Sequence, residues 1–110
     1  MDLSPFDQGF IAGLLVTTGS FSGDGRVPCL GVKLHADDPE PLITLTRLLG
    51  GTLYGPYHHG GRHYAYWRLQ GPALTAALPL FDAILPPSRK RTQYLAWKER
   101  YRLSSSRADD

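Results

Sequence analysis

The segment Arg62-His63-Tyr64-Ala65-Tyr66-Trp67-Arg68-Leu69-Gln70 alternates polar or aromatic side chains with apolar ones. In an extended chain successive side chains point to opposite faces. Tyr64, Tyr66, Arg68 and Gln70 therefore share one face, and Ala65, Trp67 and Leu69 share the other. The first set suits a nucleic acid, because Arg pairs with guanine or phosphate, Gln with adenine, and Tyr bonds phosphate or stacks. The same parity adds Lys33 and His35 from Val27 to His35, and Ser20 and Ser22 from the segment after Gly19. Arg26 and Arg62 sit at turns beside this face. A second basic cluster, Arg89-Lys90-Arg91, opens the last predicted helix. Cations there oppose the helix dipole, which favours an anionic partner. On composition alone a solvated antiparallel face is polar anyway, and cross-strand tyrosines also stabilise sheets. His58, His59 and His63 come without a Cys or carboxylate in their loop, so no closed metal site is expected from them. No Ser-His-Asp or Cys-His arrangement and no phosphate loop is visible.

The elements that must position these residues are marked by caps and punctuation. Ser4 can cap a first helix, with Pro5 at its first position and Asp7 three residues after the cap. Its body, Phe10 to Val16, is almost entirely apolar, which predicts a helix buried on all sides. Each glycine in it costs roughly 1 kcal/mol of helix propensity relative to Ala. Gly9 and Gly13, four apart, let another backbone approach closely. The helix stops at Gly19 and runs straight into a strand. Asp24-Gly25 signals a hairpin turn, and Val27–His35 a second strand with Leu30, Val32 and Leu34 on its apolar face. Asp38 is expected to cap a second helix with Pro39 at its first position. Leu42, Leu45, Leu48 and Leu49 form its core stripe, and Gly50-Gly51 ends it. A third strand is expected over Thr52–Tyr57, a connection over His58–Gly61, and a fourth strand over Arg62–Gln70. Gly71-Pro72 opens a third helix in which Pro79 should cause a kink or a split. Ser88 can cap a last helix reaching about Leu103, and residues 104–110 read as a disordered tail. Hairpins between helices, rather than strict alternation, argue for an α+β domain over residues 1–103 with an antiparallel sheet and helices on one face.

The stretch Ile11-Ala12-Gly13-Leu14-Leu15-Val16-Thr17-Thr18-Gly19, followed by Ser20-Phe21, resembles the signature motif of LAGLIDADG homing endonucleases. Gly50-Gly51-Thr52-Leu53-Tyr54 and Tyr94-Leu95-Ala96-Trp97-Lys98 are similar to later parts of the family pattern. The resemblance implies an αββαββαα domain whose four-stranded sheet forms a DNA saddle. It also implies a homodimer in which two motif helices pack through Gly9, Ala12, Gly13 and Val16. In the family, each motif helix ends on a carboxylate that meets metal ions and the scissile phosphates. Here Val16 and Thr18 stand at the motif positions that carry acids, and Thr18 offers a hard divalent cation no negative charge. The packing half of the motif is kept and its chemical half is lost. The family also places a lysine near the start of the last helix, a role that Arg89 or Lys90 can fill.

The rest of the sequence bounds these expectations. A chain of 110 residues has room for one core. Its formal charge of +2 is unremarkable, but seven of its 12 basic residues lie from Arg89 onward, which concentrates the charge at one end of the chain. Lone Cys29 excludes an internal disulfide and fits a reducing compartment. There is no basic leader and no apolar run able to span a membrane, so a cytoplasmic location is expected, nucleoid-associated if bacterial. The expected partners are double-stranded DNA and a second copy of the chain, on pseudo-palindromic sites, with cleavage lost and no cofactor. An active endonuclease would need Mg²⁺ held by a displaced acid such as Asp24 or Asp7. A protein–protein module that merely keeps the dimer fold is the remaining alternative.

Overall fold

The computed structural model describes residues 2–103. Helix α1 (Pro5–Thr18) starts as its caps dictate. The Ser4 side chain accepts a hydrogen bond from the Asp7 amide at 3.1 Å. It passes without a loop into strand β1 (Gly19–Gly23), which pairs antiparallel with β2 (Pro28–His35). The connection is longer than a two-residue turn. Asp24 Oδ1 gathers the amides of Arg26 and Val27 at 2.8 and 2.7 Å, so β2 begins at Pro28 rather than Val27.

Helix α2 (Glu40–Leu49) follows with Leu42, Leu45 and Leu49 buried. Asp38 does not cap it. Pro39 occupies the cap position without a side-chain hydrogen bond, and the Asp38 amide donates to the His35 carbonyl instead. Strand β3 (Thr52–His59) is longer than expected, and only Gly60-Gly61 turn it into β4 (Arg62–Leu69). His58 and His59 pair in register with His63 and Arg62, so they belong to the ladder and not to a loop. Gln70 precedes helix α3 (Gly71–Ile84) as its cap residue. Pro79 does not split α3. It lies on the exposed side with Thr75, where solvent can satisfy the carbonyl that proline leaves without a donor. Ser88 caps helix α4 (Arg89–Arg100) by accepting from the Arg91 amide at 3.1 Å, and a turn carries the chain on to Leu103. The tail, 104–110, lies outside the described residues.

The sheet order is β1-β2-β4-β3 with every neighbour antiparallel. Leu30, Val32, Ala65, Trp67 and Leu69 point from one face into a core shared with Ile11, Leu15, Leu74, Leu78, Phe81, Tyr94 and Trp97. The polar atoms of its large aromatic side chains are paired. Trp97 Nε1 donates to the Ser22 carbonyl at 2.7 Å, and Trp67 Nε1 to the Gly50 carbonyl at 2.9 Å. The Tyr94 hydroxyl donates to Asp82 Oδ1 at 2.7 Å, and Lys98 Nζ binds the same carboxylate at 2.9 and 3.2 Å. Burial, then the Asp82 hydrogen bond, push the Tyr94 phenol well above its ordinary range.

Helix α1 departs from the expectation of burial on all sides. Ile11 and Leu15 face the core, whereas Gly9 and Gly13 are exposed, Ala12 and Val16 half-buried, and Phe6 is 82% exposed. The sheet and the other helices reach only one side of it, so its apolar second side stays open within a single chain.

The two amides on Asp24, Val27 first and then Arg26, hold its carboxyl below the ordinary value of 3.8. Such a group stabilises the fold above its ordinary value and loses that contribution as pH falls through its depressed one. The expected outcome is a gap in Tm between wild type and Asp24→Ala that is constant above about pH 4 and closes on further acidification, measured by thermal melts across pH.

Candidate nucleic-acid interface

The face of the sheet turned away from the helices collects the residues that parity assigned to it. Register places Ser20 opposite Gly31, Ser22 opposite Cys29, Lys33 opposite Tyr66, His35 opposite Tyr64, and Arg68 opposite both Gly31 and Thr52. Strand β3 adds two side chains that the sequence reading missed, Tyr54 opposite Tyr66 and Tyr57 opposite Tyr64. These tyrosines are three residues apart, so simple alternation puts them on opposite faces. A bulge between them, at Gly55-Pro56, resets the alternation and returns both to the same face. A Gly-Pro pair inside a strand pattern is the signal that locates it.

The four tyrosines form two cross-strand pairs, each with a cation over it. Tyr54 and Tyr66 stack with ring centroids 6.2 Å apart, and the Arg68 guanidinium lies 5.6 Å from the Tyr66 ring and 6.0 Å from Tyr54. Tyr57 and Tyr64 are 5.3 Å apart, and Lys33 Nζ lies 4.7 Å from Tyr64. Each exposed cation–π contact contributes on the order of 0.5–1 kcal/mol, enough to bias a long side chain toward one position. The Arg68 pKa is raised, first by its hydrogen bond with Tyr66. Cys29 is buried beside this group. Burial pushes its thiol up, and the Arg68 charge opposes that shift. Gln70 joins Ser22, Asp24, Cys29 and Arg68 around one hollow of the face, while Arg62, Lys33 and His35 line another. Arg26 sits exposed in the β1–β2 turn.

The end of the motif helix opens onto the same surface. Thr18 lines a groove with Ser20, Gly31, Lys33, Tyr57, Tyr64, Tyr66 and Arg68. Its hydroxyl donates to the Leu14 carbonyl at 2.6 Å. One residue further on, the Gly19 carbonyl accepts a hydrogen bond from Lys90 Nζ. The basic cluster of α4 therefore divides by role. Lys90 reaches the motif end, Arg89 is exposed, and Arg91 Nη1 binds the carbonyls of Leu85 and Asp82 at 2.6 and 3.2 Å, tying α4 to the end of α3. A divalent cation does not fit this groove as built. Its described lining is hydroxyls, phenols and two cations, without the carboxylates that Mg²⁺ prefers. Asp24 lies beyond the far end of five-residue β1, roughly 20 Å of extended chain from Thr18. Asp7 lies eleven residues back along α1, roughly 16 Å away.

Gly31 keeps the Tyr66 ring flat on the sheet. A Cβ there would sit 2.5 Å from the Tyr66 hydroxyl and 2.9 Å from its ring. Gly31→Ala is expected to lift Tyr66 and uncouple it from Tyr54 and Arg68 while the fold persists. Loss of the mutual ring-current shifts of Tyr54 and Tyr66 by NMR is the check.

Among the solved structures that share this fold are LAGLIDADG homing endonucleases. I-SmaMI bound to cleaved DNA superposes with a TM-score of 0.71 at 22% identity, over 89% of this chain and 35% of that one. I-CpaMI bound to uncleaved DNA gives 0.67 at 22% identity, over 84% of this chain and 34% of that one. I-TnaI gives 0.72 at 19% identity, over 90% of this chain and 71% of that one. The chain thus spans about a third of the length of I-SmaMI and I-CpaMI. No protein-family model and no curated protein sequence matches it.

Proposed function

We propose that this chain is a sequence-specific double-stranded DNA-binding protein that acts as a homodimer and does not cleave its target. The observation that carries the proposal is the open sheet face, where Lys33 and Arg68 lie over paired tyrosines beside Thr18 and Lys90. The major groove, about 12 Å wide, admits a two-stranded antiparallel ribbon, and such a ribbon of this sheet presents donors and acceptors to base edges. Arg68, Gln70, Ser20 and Ser22 are the readers of bases. Arg26, Arg62, His35, Arg89 and Lys90 flank them and hold phosphates. Two of the structures sharing the fold are complexes with DNA, which favours this partner.

Loss of cleavage follows from the chemistry of the motif end. Metal-assisted phosphodiester hydrolysis needs ligands that fix the ions at the phosphate. Thr18 is neutral and bonded to its own helix, and Lys90 brings positive charge to the next residue. That pair is suited to hold a phosphate and not to hold a cation, so binding proceeds without Mg²⁺. Dimerisation through the outer side of α1 would cover Phe6, Gly9, Gly13 and Val16, and a Cβ built at either glycine meets nothing within 4 Å inside the chain. No helix among the described residues is long and apolar enough to cross a membrane. A cytoplasmic or nucleoid location accords with a DNA partner.

Incubation with a randomised duplex library, with and without Mg²⁺, is expected to select bound, uncut, pseudo-palindromic sites in both conditions. Mg²⁺-dependent cutting would overturn the loss of cleavage, and absence of binding at low salt would overturn the DNA reading. Arg68→Ala is expected to cost about 1–3 kcal/mol at particular base positions, whereas Lys90→Ala weakens all duplexes alike and lowers the salt slope by about one per chain. Selection profiles and salt titrations separate the two. Gly13→Leu is expected to abolish the dimer by forcing the helices apart, as read by sedimentation. A dimer of unchanged affinity would refute the interface.

A further inference from the structure

The β1–β2 turn is shaped by one residue and anchored by another. Asp24 Oδ1 holds the amides of Arg26 and Val27, and the Asp24 amide reaches the Val27 carbonyl at 3.4 Å. These bonds close the turn on itself, and none of them ties it to another element. The Gly25 amide goes elsewhere. It donates at 3.0 Å to the hydroxyl of Tyr101, 76 residues further along the chain at the end of α4. The Tyr101 ring lies against Gly23, where a Cβ would collide with the hydroxyl and sit 2.8 Å from the ring carbon that bears it. The ring also meets Trp97, with centroids 6.3 Å apart. Tyr101 is itself well held. Its amide bonds the Trp97 carbonyl at 3.1 Å, and the Leu103 amide returns to the Lys98 carbonyl at 2.8 Å. Arg102 between them has a φ of 53°, in the left-handed region that closes helices.

The turn that Tyr101 fastens borders the open sheet face. Gly23, Asp24 and Val27 line one hollow with Arg68 and Gln70, and Arg26, between Asp24 and Val27, is exposed. We propose that Tyr101 is a positioning residue for DNA recognition, its hydroxyl fixing the β1–β2 turn so that Arg26 is presented to a backbone phosphate in one place. The inference rests on the DNA reading above and adds to it a residue that acts through Arg26 and not by contact with the duplex. An arginine on an anchored turn loses less freedom on meeting a phosphate than one on a turn that swings. Strand parity has no means of finding Tyr101, because the turn it serves lies 76 residues away in the chain.

Tyr101→Phe removes the acceptor and keeps the ring against Gly23 and Trp97. Two measurements on the full chain test the proposal, the first without DNA. By NMR, exchange of the Gly25 amide with solvent is expected to accelerate several-fold in this variant, with circular dichroism unchanged. On a duplex selected by the wild type, Kd is expected to rise about two- to tenfold, the range of one net hydrogen bond. The salt slope stays as in wild type, because Arg26 still reaches its phosphate. Arg26→Ala lowers that slope by about one per chain, and adding Tyr101→Phe to it costs no further affinity. Unchanged Gly25 exchange in Tyr101→Phe would overturn the anchor. A loss that adds in full to that of Arg26→Ala would overturn the positioning role and leave Tyr101 a purely structural residue. A wild type that binds no duplex at low salt would overturn the DNA reading itself, a failure told apart from the others because it precedes any substitution.

Discussion

The junction between α1 and β1 constrains everything around it. The helix becomes a strand at Gly19 with no intervening loop. A Cβ at Gly19 would sit 2.7 Å from the Leu15 carbonyl oxygen, the same atom that accepts the Gly19 amide. Only glycine permits so close an approach of the emerging chain to the last helical turn. The consequence is positional. Thr18, the final helical residue, is delivered to the margin of the open sheet face, and Phe21, two residues into the strand, is delivered to the core. Phe21 then meets Tyr94 and Trp97 at 5.1 Å each and Phe81 at 6.4 Å. That aromatic cluster, with the Trp97 indole on the Ser22 carbonyl, brings α4 against β1. Once α4 is seated, Lys90 falls on the Gly19 carbonyl. One tight turn thus sets both the core and the chemistry at its edge.

The open face owes its character to a division of labour between the two sides of each strand. Trp67 and Leu69 are fully buried, and Arg68 between them is exposed. The same strand therefore anchors the sheet and presents a cation. The cations are not left to wander, because tyrosine rings from the neighbouring strand support them. Preorganised side chains lose less entropy on meeting a ligand. At the motif end the charge balance differs from a carboxylate pair that gathers metal ions: a neutral hydroxyl and an ammonium group favour an anion. The proposed function, recognition without cleavage, rests on this difference between the shared fold and the chemistry at its centre.

Much of the architecture was legible in the chain because local and global signals agree. Ser4, Pro5 and Ser88 mark helix starts by the hydrogen bonds they accept or the conformation they fix, and the tertiary structure uses each as expected. Alternation in β2 and β4 found the open face because both strands are regular through the stretch that matters. Two readings failed, and one pair of side chains was missed, where the local signal was indifferent to context. Asp38 is as good a cap as Ser4 in isolation, but the His35 carbonyl takes its amide and the helix begins later. His58 and His59 look like loop residues until pairing with β4 extends the ladder to the turn. Tyr54 and Tyr57 have the wrong spacing for one face until the bulge shifts them.

The sequence by itself determined the order of elements, the apolar faces and the lack of a carboxylate at Val16 and Thr18, since caps, periodicity and side-chain charge are properties of the residues along the chain. Only the tertiary structure decided which basic residue reaches the motif end. Arg89, Lys90 and Arg91 are equivalent in sequence, but their directions around α4 send one to Gly19, one to the end of α3 and one to solvent. It alone also decided that α1 is covered on one side, because burial depends on what the other elements can reach. A helix apolar all round states only that each side needs a partner, and how many of those partners lie within the same chain is a matter of packing.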